Sequence, residues 1–180
     1  MELRTPITNQ DIQNLHVGDT VYITGIIYTG RDQAHQKITD MLKEGKPFPF
    51  KLESNVIYYT GPSPTKPGNV VGSSGPTSGY RMDTYANTFI DLGFNVMIGK
   101  GPRSEDFKTL LPIKNAIYLS AVGGAAALIS QTIKKSELIQ FPELGSEAIY
   151  RYEVERFPVF VTYDIHGKDL FKEGIQQYKK

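Results

Sequence analysis

Cysteine and tryptophan are both absent from the 180-residue chain. Without a thiol there is no disulfide, no thiolate nucleophile, and no iron–sulfur cluster that this chain holds by itself. That composition agrees with a reducing cytoplasm. Histidine is scarce as well: His16, His35 and His166 are too few and too scattered for a metal site, and no metal is predicted on this chain. An excess charge of either sign is also missing. The net charge is +1, from 20 Lys and Arg against 19 Asp and Glu, so neither nucleic acid nor an anionic membrane is an expected partner. Long apolar runs are missing too. The most apolar stretch, Ala121 to Ile129, is too short to span a bilayer and contains two glycines, and Met1 to Thr8 has no signal core. A soluble, cytoplasmic protein is expected, with the Lys179–Lys180 tail as a solvated end.

What remains is ordinary globular composition, 39% apolar, long enough for one domain over residues 1–180 with a core of its own. Strand-like and helix-like patterns alternate. Val21–Tyr28 is rich in β-branched and aromatic residues and reads as a strand. Ala34, Ile38, Met41 and Leu42 mark one face of a helix over Gln33–Lys43, closed by Gly45. Val56–Tyr59 reads as a strand, Gly61–Gly68 as a loop, and Val70–Val71 as the start of a further strand. Met82, Tyr85, Ala86, Phe89 and Ile90 give the clearest helical face, ended by Gly93. Asn95–Ile98 is a strand. Ser104 caps a helix with Glu105 and Asp106 in its first turn. Ala116–Val122 is a strand and Ala125–Ile133 a helix. Three strands, Glu137–Phe141, Ile149–Val154 and Val159–Tyr163, then lead to a turn at His166–Gly167. This alternation predicts an α/β fold with at least partly parallel strands.

Four predicted strand-to-helix junctions carry glycine-rich loops: Thr29–Asp32, Gly72–Arg81, Gly99–Arg103 and Gly123–Ala125. In an open α/β sheet such junctions sit at the carboxyl ends of the strands, where ligands bind. Glycine lets backbone approach a ligand, and helix N-termini favour anions. Arg31, Arg81 and Lys100 add cations, with Arg103 behind them. Charge-assisted hydrogen bonds contribute about 1.5–3 kcal/mol each, so several on one ligand suit a small polyanion. Glycine at such turns also has a purely steric explanation, so the pattern only leans towards an anion site. Gly75–Gly79 is not followed by Lys-Ser or Lys-Thr, and the spacing Gly72, Gly75, Gly79 is not a dinucleotide fingerprint. His16 and His166 read as turn residues. His35 lies one helical turn after Arg31 on the same face, beside the proposed site.

Several of these segments resemble those of class I fumarase and L(+)-tartrate dehydratase β subunits. They are Thr29-Gly-Arg-Asp-Gln-Ala-His35, Gly75-Pro-Thr-Ser-Gly-Tyr-Arg-Met-Asp83, Gly99-Lys-Gly101, Tyr118–Gly124, Phe141–Ile149 and Glu153–Pro158. The resemblance runs in order from about Leu15 to Phe171. Two departures stand out: Ala125 follows the double glycine where proline is common, and bulky Tyr80 stands where small residues are usual.

The resemblance implies a swivelling β/β/α domain that works with an α subunit carrying a four-iron, four-sulfur (4Fe-4S) cluster. It also implies reversible hydration of a four-carbon dicarboxylate, fumarate to L-malate, with L(+)-tartrate or mesaconate as alternatives. The start at Met1 suggests a β part that is a separate chain. By motif position Arg31, Arg81 and Lys100 bind substrate carboxylates, with Arg81 and Lys100 in the catalytic set. Thr77 is a substrate contact and candidate proton acceptor. His35 is a substrate-binding candidate. Asp32 and Asp83 orient Arg31 and Arg81 or cap helices. Outside this class stand a phosphocarrier module acting through His35 and a non-catalytic assembly subunit. The isolated chain is an expected homodimer, since its partner-facing surface is otherwise exposed.

Overall fold

The computed structural model describes residues 1–179; Lys179 is exposed, and Lys180, the last residue of the predicted solvated tail, lies outside the described residues. The strands are β1 (Glu2–Arg4), β2 (Thr20–Thr29), β3 (Val56–Tyr58), β4 (Val96–Gly99), β5 (Ile117–Ser120), β6 (Ile133–Gln140) and β7 (Ile149–Tyr163). The first five lie side by side and parallel. The fifteen-residue β7 runs antiparallel to them. One of its edges pairs with β2, while the other takes first β6 and then β5. Strands β2, β3, β4, β5 and β7 therefore close into a ring, with β1 and β6 appended.

Helices α1 (Asn9–Asn14), α2 (Asp32–Lys43), α3 (Asp83–Asp91), α4 (Glu105–Lys114), α5 (Ala126–Gln131) and α6 (Leu170–Tyr178) complete the α/β architecture. Side chains alternate across the ring. Tyr58, Val96, Ile98 and Leu119 belong to one buried cluster. Their neighbours Ile57, Met97 and Tyr118 belong to a second, shared with Ala34 and Ile38 of α2, Phe89 of α3 and Phe107 of α4. Burial on both faces explains why β3, β4 and β5 read as unbroken apolar runs rather than alternating ones. No helix among the described residues is long and apolar enough to cross a membrane.

Some expectations are corrected. Val70 and Val71 form no strand: they lie in a bend, where the chain turns back on itself so closely that a Cβ on Gly72 would stand 1.9 Å from the Ser63 carbonyl. The segments Ile149–Val154 and Val159–Tyr163 are one strand. Pro158 does not break it, because Phe157 and Pro158 stay in register with Ile23 and Tyr22, and the Arg156 N–H donates to Thr24 Oγ1 at 3.1 Å. The helix expected to reach Ile133 ends at Gln131, and Ile133 opens β6 instead. Phe141, expected in that strand, adopts a left-handed backbone (φ 58°) and starts a 3-10 turn.

Candidate active site

Because β2 to β5 are adjacent and parallel, the loops that follow them emerge along one edge of the ring. The Gly72–Arg81 loop belongs to the β3–α3 connection, which doubles back to this edge. Thr77 N–H donates to Tyr59 O at 2.6 Å, Lys100 N–H donates to Thr77 O at 3.1 Å, and Gly79 N–H donates to Lys100 O at 2.8 Å. Thr77 thus lies between the extensions of β3 and β4, clamped by backbone on both sides. A 3-10 turn, Gly79–Met82, then carries Arg81 into α3. The chain can pass this closely only because residues 79 and 99 are glycines. A Cβ on Gly79 would sit 2.3 Å from Tyr118 Oη, and one on Gly99 2.7 Å from the same oxygen.

Arg31 is the N-cap residue of α2. Its Nη2 lies 3.3 Å from Glu147 Oε1 and 3.7 Å from Asp32 Oδ2. Arg81 donates from Nε to Asp32 Oδ1 at 2.9 Å. Glu147, Arg31, Asp32 and Arg81 therefore form an alternating row of charges drawn from three connections of the chain, β6–β7, β2–α2 and β3–α3. Glu147 also accepts the Gln33 N–H at 3.0 Å, in the first turn of α2 where the helix dipole favours a carboxylate. Lys100 is exposed at the end of β4 and takes part in none of the ion pairs of the described residues.

His35, the substrate-binding candidate, lies beneath this edge rather than at its surface. It is 1% exposed and stacked on Phe89 at 4.0 Å. Burial is the main cause that lowers its pKa from the usual 6.5 to about 4, so the ring is neutral. Nδ1 is 2.8 Å from the Arg31 carbonyl, a geometry that makes Nδ1–H the donor and leaves Nε2 unprotonated and unpartnered. Asp32 hydrogen-bonds Arg81 and lies within ion-pair distance of Arg31. Asp83 does not touch Arg81: it pairs with Arg103, and its second oxygen accepts the Ser104 N–H at 2.8 Å. His16 and His166 stack on each other, ring centroids 4.6 Å apart, shortly before β2 begins and shortly after β7 ends, at the opposite end of the ring.

Sequence reasoning missed Glu147. It lies in the Phe141–Ile149 segment that carries part of the resemblance, but nothing local to it indicates that it meets the N-terminus of α2. Among the described residues, no group of three or more His, Asp or Glu is placed to hold a metal ion.

A profile of the family described as Fumarase C-terminus matches residues 1–174. The putative L(+)-tartrate dehydratase subunit beta of Methanocaldococcus jannaschii is 38% identical over 173 residues, which cover 93% of this chain and 89% of that protein. Fumarate hydratase class I, anaerobic, of Escherichia coli is 39% identical over 163 residues, 89% of this chain and 30% of that protein. Fumarate hydratase 2 of Leishmania major is 36% identical over 179 residues, 97% of this chain and 32% of that protein. The chain thus spans about a third of the length of these two fumarate hydratases and most of the tartrate dehydratase subunit.

Proposed function

The chain belongs to the fumarase C-terminus family, and on that premise we propose that it is the β subunit of a class I fumarate hydratase-type hydro-lyase that converts fumarate and L-malate reversibly. The observation that carries this reading is the convergence of Arg31, Thr77, Arg81 and Lys100 on loops at the carboxyl ends of neighbouring parallel strands. L(+)-tartrate is the second substrate reading, favoured by the M. jannaschii relative, of which this chain covers 89%.

The chemistry assigns each residue a task. Arg31 and Arg81 present planar forks that meet a carboxylate in two places, and Lys100 adds a point charge. When the proton beside a carboxylate is removed, extra negative charge builds on that carboxylate, and cations already in position stabilise it without reorganising. Asp32 and Glu147 hold the two forks in place. Thr77 contacts substrate. Its hydroxyl is a feeble base unaided, and the nearby carboxylates Asp32 and Asp83 are committed to Arg81 and Arg103, so its activation falls to a group of another chain.

Departure of the hydroxyl calls for a Lewis acid, which in this reading is the 4Fe-4S cluster of an α subunit. The residues of this chain do not fit such a cluster, since it has no cysteine. Exposed apolar side chains next to the site support a partner surface: Tyr80 (62% exposed), Val122 (55%) and Leu128 (66%). The phosphocarrier reading loses ground, because His35 is buried and its Nδ1 is engaged.

The test is co-expression with a cysteine-bearing α-type chain, anaerobic reconstitution of iron and sulfide, and measurement of fumarate consumption. Activity in the mixture and in neither chain alone is expected. Silence towards fumarate, L-tartrate and mesaconate in a stable, cluster-loaded complex would favour a non-catalytic assembly subunit.

A further inference from the structure

Arg103 is the one cation of the junction loops that the proposed reaction leaves unused, and its side chain is 0% exposed. Its Nε pairs with Asp83, and its guanidinium lies 3.4 Å from the Phe107 ring centre and 4.7 Å from that of Tyr118. Neither Nη1 nor Nη2 has a hydrogen-bond partner. As a device for stability this arrangement is poor, since an apolar side chain fills such a site without the desolvation penalty of a charge. What the ion pair supplies is direction, because a planar guanidinium packed against the Phe107 and Tyr118 rings can present Nε to Asp83 from one side only.

The places it joins are specific. Asp83 opens α3, two residues after Arg81, and Arg103 follows Lys100 by three residues on the β4–α4 loop. The same Asp83 carboxylate accepts the Ser104 N–H, so it ties the start of α3 to the start of α4. Tyr118, beside the guanidinium, donates from Oη to the Lys100 carbonyl at 3.1 Å. Gly79 is wedged into the same contact: a Cβ there would stand 2.8 Å from Arg103 Cδ. We propose that Arg103 and Asp83 are a positioning pair that fixes the span between Arg81 and Lys100, and through it the length of dicarboxylate the site accepts. This inference rests on the reading of Arg81 and Lys100 as carboxylate-binding groups.

The experiment uses the assembled, cluster-loaded heteromer, with succinate and glutarate as competitive inhibitors of different length. Asp83→Asn is expected to raise KM for fumarate at least tenfold while kcat falls less than threefold. It is also expected to narrow the preference for succinate over glutarate at least fivefold. Arg103→Lys, which keeps the charge but not the fork, moves both readouts the same way and serves if Asp83→Asn fails to assemble. Arg151→Met, which breaks the exposed pair with Glu53, leaves both unchanged. A succinate-to-glutarate ratio equal to wild type in Asp83→Asn or Arg103→Lys would overturn the inference, even with lowered stability, because a merely structural role weakens both inhibitors alike. If the wild-type heteromer neither turns over fumarate nor binds either diacid, the functional reading falls, and the inference with it; if it turns over fumarate without binding either diacid, an unchanged KM in both variants overturns the inference alone.

Discussion

Arg81 of the β3–α3 connection donates to Asp32, the first residue of α2, at 2.9 Å, and Asp32 also lies 3.7 Å from Arg31. The two guanidinium groups therefore share one carboxylate and are not independent. A substrate that draws on one fork alters the electrostatic surroundings of the other.

Arg81→Ala is expected to lower kcat/KM for fumarate about 100-fold or more, since a two-pronged contact comprises two charge-assisted hydrogen bonds of about 1.5–3 kcal/mol each. Arg81→Lys should recover little of the loss, because a point charge replaces a fork. Steady-state kinetics on a complex of unchanged iron content provides the check, and wild-type activity in Arg81→Ala would remove the site assignment.

Glu147→Gln keeps an acceptor for the Gln33 N–H but removes the charge facing Arg31. A partly exposed ion pair contributes about 0.2–1 kcal/mol, so KM should rise by no more than about fivefold with kcat little changed. A KM that falls instead would mean that Glu147 competes with substrate for Arg31.

Stability should depend on pH through His35. Burial places its folded-state pKa near 4, below the unfolded value near 6.5. Between these values the unfolded chain binds more protons, so stability is full above about pH 6.5 and is lost as pH falls towards 4. The amount at stake is about 3 kcal/mol. Chemical denaturation of wild type and His35→Phe across pH 4–7 measures it. The variant should lack this part of the slope, and parallel curves would show that His35 is not the group responsible.

Val122→Asp and Leu128→Asp, combined, test the partner surface. Both side chains are exposed and adjoin the site loops, so the isolated chain should melt like wild type while association with the α subunit weakens at least tenfold. Unaltered association in a pull-down titration would place the interface elsewhere.

Local signals were legible in the sequence where burial is one-sided or uniform. Helices α2 and α3 follow their apolar faces, and β2 to β5 follow their apolar runs. The cations Arg31, Arg81 and Lys100 are placed by glycine-rich junctions whose geometry the parallel sheet supplies. Long-range relations were not legible. The shared Asp32, the reach of Glu147 to α2 and the pairing of Asp83 with Arg103 depend on which loops the ring brings together, and residues 49 or 114 positions apart carry no mark of it. The burial of His35 was not legible for the same reason: helical spacing puts it near Arg31, but only packing against Phe89 and Tyr59 turns it inward. Pro158 and the Val70–Val71 pair show the limits of local strand signals, since pairing is decided by which segments the fold brings side by side.

The ring also sets an order of events as the chain is made. Arg156 bonds to Thr24 across 132 residues, so β2 leaves the ribosome long before β7 exists. At about 5–20 residues per second that wait is roughly 7–26 s, with one flank of β2 unpaired throughout. Nascent chains are therefore expected to be vulnerable to aggregation or chaperone capture until the final fifth of the sequence emerges. A premature stop before β7 would leave the arginine-bearing loops without a closed frame to hold them.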